Sequence, residues 1–394
     1  MKTGFIVVAL LAILQVYCAG SDKIKLYVGT FTSEGAEGVY LCSFDTLNGD
    51  LSLKKTFKGI DDPSFLKLSP DSRFLYVVTR APKAVEPLGG YVNAYSIDNE
   101  GNISFINKQV SHGAGPCYVD VSPDGKWVAI ANYGGGSTAF FRVSENGAVE
   151  ESYSVIRNFG SGPNKVRQNA SHAHSIRFSP FDNILFGADL GTDQLNIFPF
   201  DNVLFGADSD TVDPLNISHF ENKQMTSGNQ LFVKLTPGSG PRHIEFFPDG
   251  KTIYVINELS STVAVLKNVK ESWKMVQEVS TLPSDFTGEN YCADIHISKD
   301  GKYLYASNRG HNSIAVFYIK PDNNQLVFAS TVSVEGNWPR NFTFSPDGRF
   351  MLVANQKSGN ITVFSVDPKS GMPQFTGKET FLPAPVCLEF LTED

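Results

Sequence analysis

His172 and His174, one residue apart, and four arginines, Arg80, Arg242, Arg309 and Arg340, are the side chains of this sequence best equipped to act on an anion. An imidazole moves protons near neutral pH, and a guanidinium grips a carboxylate or phosphate through two parallel hydrogen bonds. Glu258 adds a carboxylate, and His243, Glu289 and His296 stand beside these residues in segments of similar character. Four arginines gathered at one place would make a cationic pocket in a chain whose formal net charge is −8. Buried like charges demand compensation, and a purely structural channel could use apolar groups at no greater cost. The bland alternatives are ion pairs between neighbouring elements for the arginines and structural hydrogen bonding for one histidine. A metal held by His172, His174 and Glu258 is disfavoured, because the arginines would oppose a cation and no stronger ligand pattern lies nearby. Neither a metal nor a cofactor is expected.

The elements that must position these residues announce themselves by repetition. Leu68-Ser69-Pro70-Asp71, Val121-Ser122-Pro123-Asp124-Gly125, Phe178-Ser179-Pro180, Phe246-Phe247-Pro248-Asp249-Gly250, Ile297-Ser298-Lys299-Asp300-Gly301 and Phe344-Ser345-Pro346-Asp347-Gly348 each sit between two short alternating apolar runs. Pro at the second turn position and Gly near the end make a tight strand-to-strand turn. A period of about fifty residues with about four strands in each is the mark of a propeller blade. Six turns predict six blades. The seventh is assembled from both termini: Lys25 to Thr30 and Gly38 to Phe44 supply strands at one end, and Val386 to Phe390 supplies the missing inner strand at the other. The predicted fold is therefore an all-β, seven-bladed β-propeller of four-stranded antiparallel blades, closed by a shared N- and C-terminal blade.

Registering the copies on the turn brings the chemistry to one place. Six residues before the turn proline stand Ser64, Cys117, His174, Arg242, Ala293 and Arg340, with Val386 as the seventh; ten residues after it stand Arg80, Tyr133, Leu190, Glu258, Arg309 and Gln356, with Phe31 in the N-terminal place. In an antiparallel hairpin the start of the first strand and the end of the second lie at the same edge, so both registers converge on one mouth of the central channel. Strand alternation puts His172 and His174 on the same side. One stretch breaks the period: Phe181 to Asp189 recurs nearly unchanged as Phe200 to Asp208. A second copy cannot fill the same strand slot, so it should extend an outer strand or form an excursion.

The totals close off other classes. An acidic balance argues against a nucleic-acid surface, scattered cysteines without a C-x-x-C pair argue against a disulfide scaffold or zinc cluster, and the absence of Gly-x-Ser-x-Gly disfavours a covalent serine mechanism. Residues 1–20 carry Lys2, the apolar run Phe5 to Leu14 and the small exit Cys18-Ala19-Gly20, the pattern of a cleaved signal peptide. A secreted or periplasmic protein is expected, with residues 21–394 as its propeller and no membrane span after processing; acylation of Cys18, giving a cell-envelope lipoprotein, is the alternative.

With its Leu26 to Thr32, His172 to Ser175, Gly240 to His243, Val255 to Leu259, Ser307 to Ser313 and Pro339 to Phe342 segments, the chain resembles the lactonase family of seven-bladed propellers, which includes the propeller type of 6-phosphogluconolactonase and carboxy-cis,cis-muconate cyclase. The resemblance implies a catalytic set of a His-x-His-Ser histidine, the Gly-Pro-Arg-His arginine, the Asn-Glu-Leu glutamate and the Ser-Asn-Arg arginine, which fall here on His172 or His174, Arg242, Glu258 and Arg309. His172, His243, Arg340, Arg80, Glu289 and His296 would then contact the substrate. It further implies hydrolysis of an anionic sugar-acid lactone as the leading expectation. A lactonising cyclase, and a non-catalytic secreted propeller that binds an anionic carbohydrate or a protein partner, are the rivals. Export sits awkwardly with 6-phosphogluconolactone, a cytosolic compound, and puts the natural substrate in question.

Overall fold

A computed structural model describes residues 23–81, 85–86, 89–200 and 231–392. Seven four-stranded antiparallel sheets account for its strands. Blades 1 to 6 span 63–110, 116–157, 173–234, 241–280, 291–333 and 339–381; blade 7 joins the C-terminal strand Pro385–Leu391 to the N-terminal strands Lys23–Thr30, Gly38–Asp45 and Leu51–Lys58. The innermost strands Pro63–Leu68, Pro116–Val121, Ala173–Phe178, Pro241–Phe246, Tyr291–Ile297, Pro339–Phe344 and Pro385–Leu391 pack each against the next and close a ring. Apolar layers between neighbouring blades hold that ring, for example Leu26, Val28, Phe44, Leu352, Val363 and Leu388 between blades 6 and 7. Closure of the ring protects strand edges that would otherwise pair with another chain.

The turn motifs hold themselves by local hydrogen bonds. In blade 6 the Ser345 hydroxyl donates to Asp347 at 2.6 Å and accepts from the Phe350 amide at 3.0 Å, and Ser69–Asp71, Ser122–Asp124 and Ser298–Asp300 repeat the contact. The first copy of the duplicated segment takes the second-strand slot of blade 3, Ile184–Asp189. Blade 3 then continues with Gln194–Pro199 and Phe232–Lys234 as its third and fourth strands, and residues 201–230 fall between the two in the sequence. The second copy beyond Phe200, the N-terminal residues 1–22 and Cys18 lie outside the described residues.

Every inner strand carries the same irregularity. Pairing skips one residue near the strand start, between Pro63 and Phe65, Pro116 and Tyr118, Ala173 and Ser175, Pro241 and His243, and Pro339 and Asn341. Blades 5 and 7 shift in the corresponding place. The extra residues are Ser64, Cys117, His174, Arg242, Arg340 and Val386, with Ala293 in the matching interval, which is the set that the turn register selects. A β-bulge leaves one residue outside the ladder and re-aims its side chain. Seven bulges therefore place a ring of freely chosen side chains at one mouth without loss of the strands beneath them. Ending the chain after Ala384 should strip the inner edge of Lys23–Thr30 of its partner strand and open the ring, lowering the thermal midpoint by at least about 10 °C in circular dichroism melting; an unchanged midpoint would show that the shared blade is dispensable.

Candidate functional site

The second register closes on the bulges through the backbone. The amides of Phe31, Tyr133, Leu190, Glu258 and Gln356 donate to the carbonyls of Ala384, Gly115, His172, Gly240 and Trp338 respectively, so each residue ending a second strand sits beside the bulge that starts the first. Several residues just before the inner strands take the left-handed conformation needed for this entry, among them Gly240 at φ 62° and, without the freedom of glycine, Trp338 at φ 68°. A Cβ on Gly240 would also come within 2.5 Å of Leu259.

Glu258 is the centre of the site. It is 3 % exposed, and both oxygens meet guanidiniums: Oε2 lies 2.8 Å from Arg309 Nη2 and 3.2 Å from Arg242 Nε, and Oε1 accepts from Arg167 Nη2 at 2.5 Å. Burial alone would raise the Glu258 carboxyl, but Arg309, Arg242 and Arg167 outweigh it and hold it down to about 2. Glu258 is therefore a fixed anion and a poor proton acceptor.

The arginines are pinned by more than this carboxylate. Arg242 Nη1 donates to the Ala293 carbonyl, and Arg309 donates from Nε to the Tyr291 carbonyl at 3.2 Å and from Nη2 to the Cys292 carbonyl at 2.8 Å. Arg242 Nη2 and Arg309 Nη1 bond no acceptor among the described residues. Burial and the neighbouring Arg309 bring Arg242 down to about 10, still cationic at neutral pH.

His174 lies with Nε2 3.8 Å from Glu258 Oε2 and Nδ1 3.9 Å from Cys117 Sγ. Burial, followed by the charge of Arg242, His243 and Arg340, pushes it well below the usual histidine range, so its imidazole is neutral. His172 is half-buried at the lip, stacked on Tyr133 with ring centroids 4.6 Å apart. Its Nδ1 faces the Tyr133 carbonyl at 2.9 Å.

Beneath this layer Asp294 organises two further histidines. His243 Nδ1 is 2.8 Å from Asp294 Oδ1, and His296 Nε2 is 3.1 Å from Oδ2. Burial and Arg242 bring His243 down to about 3, whereas Asp294 and Glu245 overcome burial and carry His296 up to about 10. The charge pair is thus Asp294 with His296. Neutral His243 donates from Nδ1 to Asp294, leaving Nε2 to accept from Arg242 Nη1 at 3.1 Å.

Two expected contact residues fall elsewhere. His296 pairs with Tyr305 near the turn end of blade 5 and belongs to a lower charged ring, where it faces Glu245 at 3.6 Å as well as Asp294. Glu289 is exposed in the loop before Tyr291 and forms no ion pair among the described residues. Arg80 and Arg340 do reach the mouth, on the side of blades 6, 7 and 1, where both guanidiniums lie over Phe31. The lower ring pairs its own charges: Lys67 with Glu389 at 2.8 Å, Arg177 with Glu245 at 3.4 Å and with Asp120 at 3.9 Å, and His296 with Glu245 at 3.6 Å. A cavity of about 370 Å³ opens beside Lys67, Thr343 and Glu389 at that end, but its cation and carboxylate already satisfy each other.

Arg167 is the functional candidate that the turn register misses. It lies in the connection 158–172, where no strand period applies, and only its charge and its position five residues before His172 point to it in the sequence. Asn164 Oδ1 caps the turn by accepting from the Arg167 amide at 3.1 Å, and Gln168 Nε2 donates to the Leu190 carbonyl and to Asp193 Oδ1 at 2.8 and 2.7 Å. Asp193 also accepts from the amides of Gly238 and Gly240, tying this loop to the strand that carries Arg242. Arg167 also donates to the Tyr133 hydroxyl at 3.1 Å. Among the described residues, no group of three or more His, Cys, Asp or Glu side chains could hold a metal ion, and the four described cysteines are buried and unpaired.

Comparison with known proteins follows the same outline. The family described as lactonase, 7-bladed beta-propeller, matches residues 25–390. A 6-phosphogluconolactonase of Bacillus subtilis strain 168 is 35% identical over 93% of this chain and 97% of its own length. A 6-phosphogluconolactonase of Formosa agariphila is 34% identical over 80% of this chain and 85% of its own. The structure of the periplasmic gluconolactonase of Pseudomonas aeruginosa superposes with a TM-score of 0.82 at 31% identity, covering 94% of this chain and 100% of the other.

Removing the buried anion should expose its structural share. Glu258→Gln leaves three guanidiniums uncompensated and should cost about 3 kcal/mol at pH 7. Because the folded carboxyl is depressed to about 2, the stabilisation it gives is present above the ordinary carboxylate range and is lost as pH falls toward 2. Urea unfolding should therefore show the wild-type advantage shrinking below about pH 4; a constant difference down to pH 2.5 would contradict the ionisation assigned here.

Proposed function

The chain belongs to the lactonase family of seven-bladed β-propellers, and from that premise we propose that it hydrolyses a sugar-acid lactone bearing an anionic group, in the manner of a 6-phosphogluconolactonase, to the open-chain aldonate. The observation that carries this reading is the arrangement at the mouth: a carboxylate clamped by guanidiniums, Arg242 Nη2 and Arg309 Nη1 left without protein acceptors, and a neutral imidazole beside them. The 6-phosphogluconolactonase and gluconolactonase names of the relatives support it.

Arg242 and Arg309 would donate to the lactone carbonyl oxygen, and their hydrogen bonds strengthen as that oxygen becomes an oxyanion. Pre-set donors cost no reorganisation at the moment of reaction, which is what the anchors on Glu258, Ala293, Tyr291 and Cys292 secure. His174 accepts a proton from water as the water oxygen bonds to the acyl carbon. Glu258, 3.8 Å away, balances the imidazolium that forms. Breaking the bond between the acyl carbon and the ring oxygen then draws that proton onto the leaving alkoxide, restoring neutral His174, and the carboxylic acid product ionises in solution. Glu258 and His174 are both bases by residue type, and His174 is the one assigned here because both Glu258 oxygens are already taken up by guanidiniums, whereas the imidazole comes no nearer than 3.8 Å to that carboxylate.

Export to the periplasm or beyond is part of the reading. It is supported by the signal-like pattern of residues 1–20 and by the periplasmic source of the Pseudomonas protein.

Spectroscopic lactone-opening assays test the proposal. His174→Gln should lower kcat by about 10²- to 10⁴-fold, and Arg309→Met by about 100-fold; wild-type rates in both would refute the assignments. The acid limb of kcat/KM should lie well below pH 6.5, because a base held below the usual histidine range stays unprotonated into acid. A limb at or above 6.5 would exclude His174 as that base.

A further inference from the structure

The arginines of the mouth divide into two sets that face different demands. Arg167, Arg242 and Arg309, which meet Glu258, belong to the half formed by blades 4 and 5 and the loop leading into blade 3. Arg80 of blade 1 and Arg340 of blade 6 lie outside that cluster of ion pairs, on the blades either side of blade 7, and both meet its Phe31. The Arg80 guanidinium lies 4.8 Å and the Arg340 guanidinium 5.3 Å from the centroid of that one ring. Phe31 is itself fixed: it is 4 % exposed, packs with Ala384 and Val386, and donates its amide to the Ala384 carbonyl at 3.1 Å.

Neither arginine of this second set has a carboxylate within ion-pair distance among the described residues, and Arg80 Nε is buried with no hydrogen-bond partner. The nearby carboxylate of Glu34, three residues from Phe31, is instead engaged by Gln356 Nε2 at 2.8 and 3.0 Å. Burial, and then the charges of Arg242, Arg309 and Arg80, bring Arg340 well below its ordinary value. The aromatic face supplies a weak attraction to each cation, which is far less than a carboxylate would give. Two half-buried guanidiniums held over one ring, in a protein with an acidic surplus, are poorly explained as a structural device.

We propose that Arg80, Phe31 and Arg340 form an anion-anchoring subsite, beside the Glu258 cluster but outside its ion pairs, that grips a phosphate or carboxylate carried at the end of the lactone remote from its acyl carbon. This rests on the lactonase reading and refines it by substrate class. Phe31 gathers both guanidiniums over one ring, so that one terminal anion meets both, and the acyl carbon is left for Arg242, Arg309 and His174. A lactone without a terminal anion would lack this anchor and bind in more than one orientation. A lactone whose charge sits beside the acyl carbon could not satisfy both halves at once.

The test uses the full chain with three lactones: 6-phosphoglucono-1,5-lactone, a glucarolactone carrying a terminal carboxylate, and neutral glucono-1,5-lactone. In Arg80→Met and Arg340→Met the ratio of kcat/KM for an anionic lactone to that for the neutral one should fall by about 10- to 100-fold, chiefly through KM. A fall confined to the phosphorylated or to the carboxylated substrate identifies which anion the subsite serves. An unchanged ratio for both overturns the proposal. Titration with inorganic phosphate by calorimetry separates the subsite from the reaction. If wild-type protein opens none of the lactones, the functional reading fails, and phosphate heat that is present in wild type and lost in Arg340→Met still supports the subsite, whereas equal heat in both, or none in wild type, overturns it. Thermal melting excludes a merely structural role: loss of an uncompensated cation should leave the midpoint unchanged or raised, and a marked drop in both variants would mean that these arginines serve the fold instead.

Discussion

A carboxylate that gives up nearly all its water must be held by opposite charge, and Glu258 meets that requirement with guanidiniums drawn from three separate stretches of chain. The arrangement works in both directions. The arginines keep the carboxylate ionised, and the carboxylate fixes Arg242 and Arg309 side by side, where mutual repulsion would otherwise spread them. Buried ion pairs of this kind add little net stability over apolar packing. Their value here is geometric, because they hold donor nitrogens at one place while the surrounding blades supply the stability. The neutral state of His174 follows first from its burial and then from the charges of Arg242 and Arg340, since a further cation in that field is disfavoured until an anion arrives.

Much of this is legible in the amino-acid sequence. The recurring Ser-Pro-Asp turns set the blade count, and the two registers measured from the turn reach His174, Arg242, Arg340, Glu258, Arg309 and Arg80 from sequence positions hundreds of residues apart. The register works because turn and bulge lie a constant number of residues apart on each inner strand, although the bulge itself leaves no composition signal. Where that spacing does not apply the reading fails. Arg167 sits on a connection without period, so nothing in the strand pattern points to it. His296 is a histidine of the right strand at the wrong depth, and Asp294, which governs both His243 and His296, escapes the pattern because alternation alone does not tell a channel carboxylate from a surface one. Glu289 lies close in sequence to Tyr291, yet the loop turns it outward.

The two ends of the channel show how one fold treats charge in two ways. At the turn-bearing end, Lys67, Asp120, Arg177, Glu245, His296 and Glu389 alternate in sign around the blades and neutralise one another. At the bulged end the sign is biased: Arg80, Arg167, Arg242, Arg309 and Arg340 gather there, and Glu258 is the carboxylate that pairs with arginines among the described residues. Strand alternation suffices for the first arrangement. The second needs the bulges, which free one residue per blade from the sheet and allow the mouth to be composed without regard to packing.

The ionisation of Glu258 is where the account can be checked most directly. A carbon-13 titration of the side-chain carboxyl in labelled protein, with the Glu258 resonance identified by its loss in Glu258→Gln, should show an anion throughout the neutral and mildly acidic range, with a midpoint near 2. A midpoint at or above the ordinary glutamate value would mean that the guanidiniums do not clamp this carboxylate, and the donor geometry derived from that clamp would fall with it.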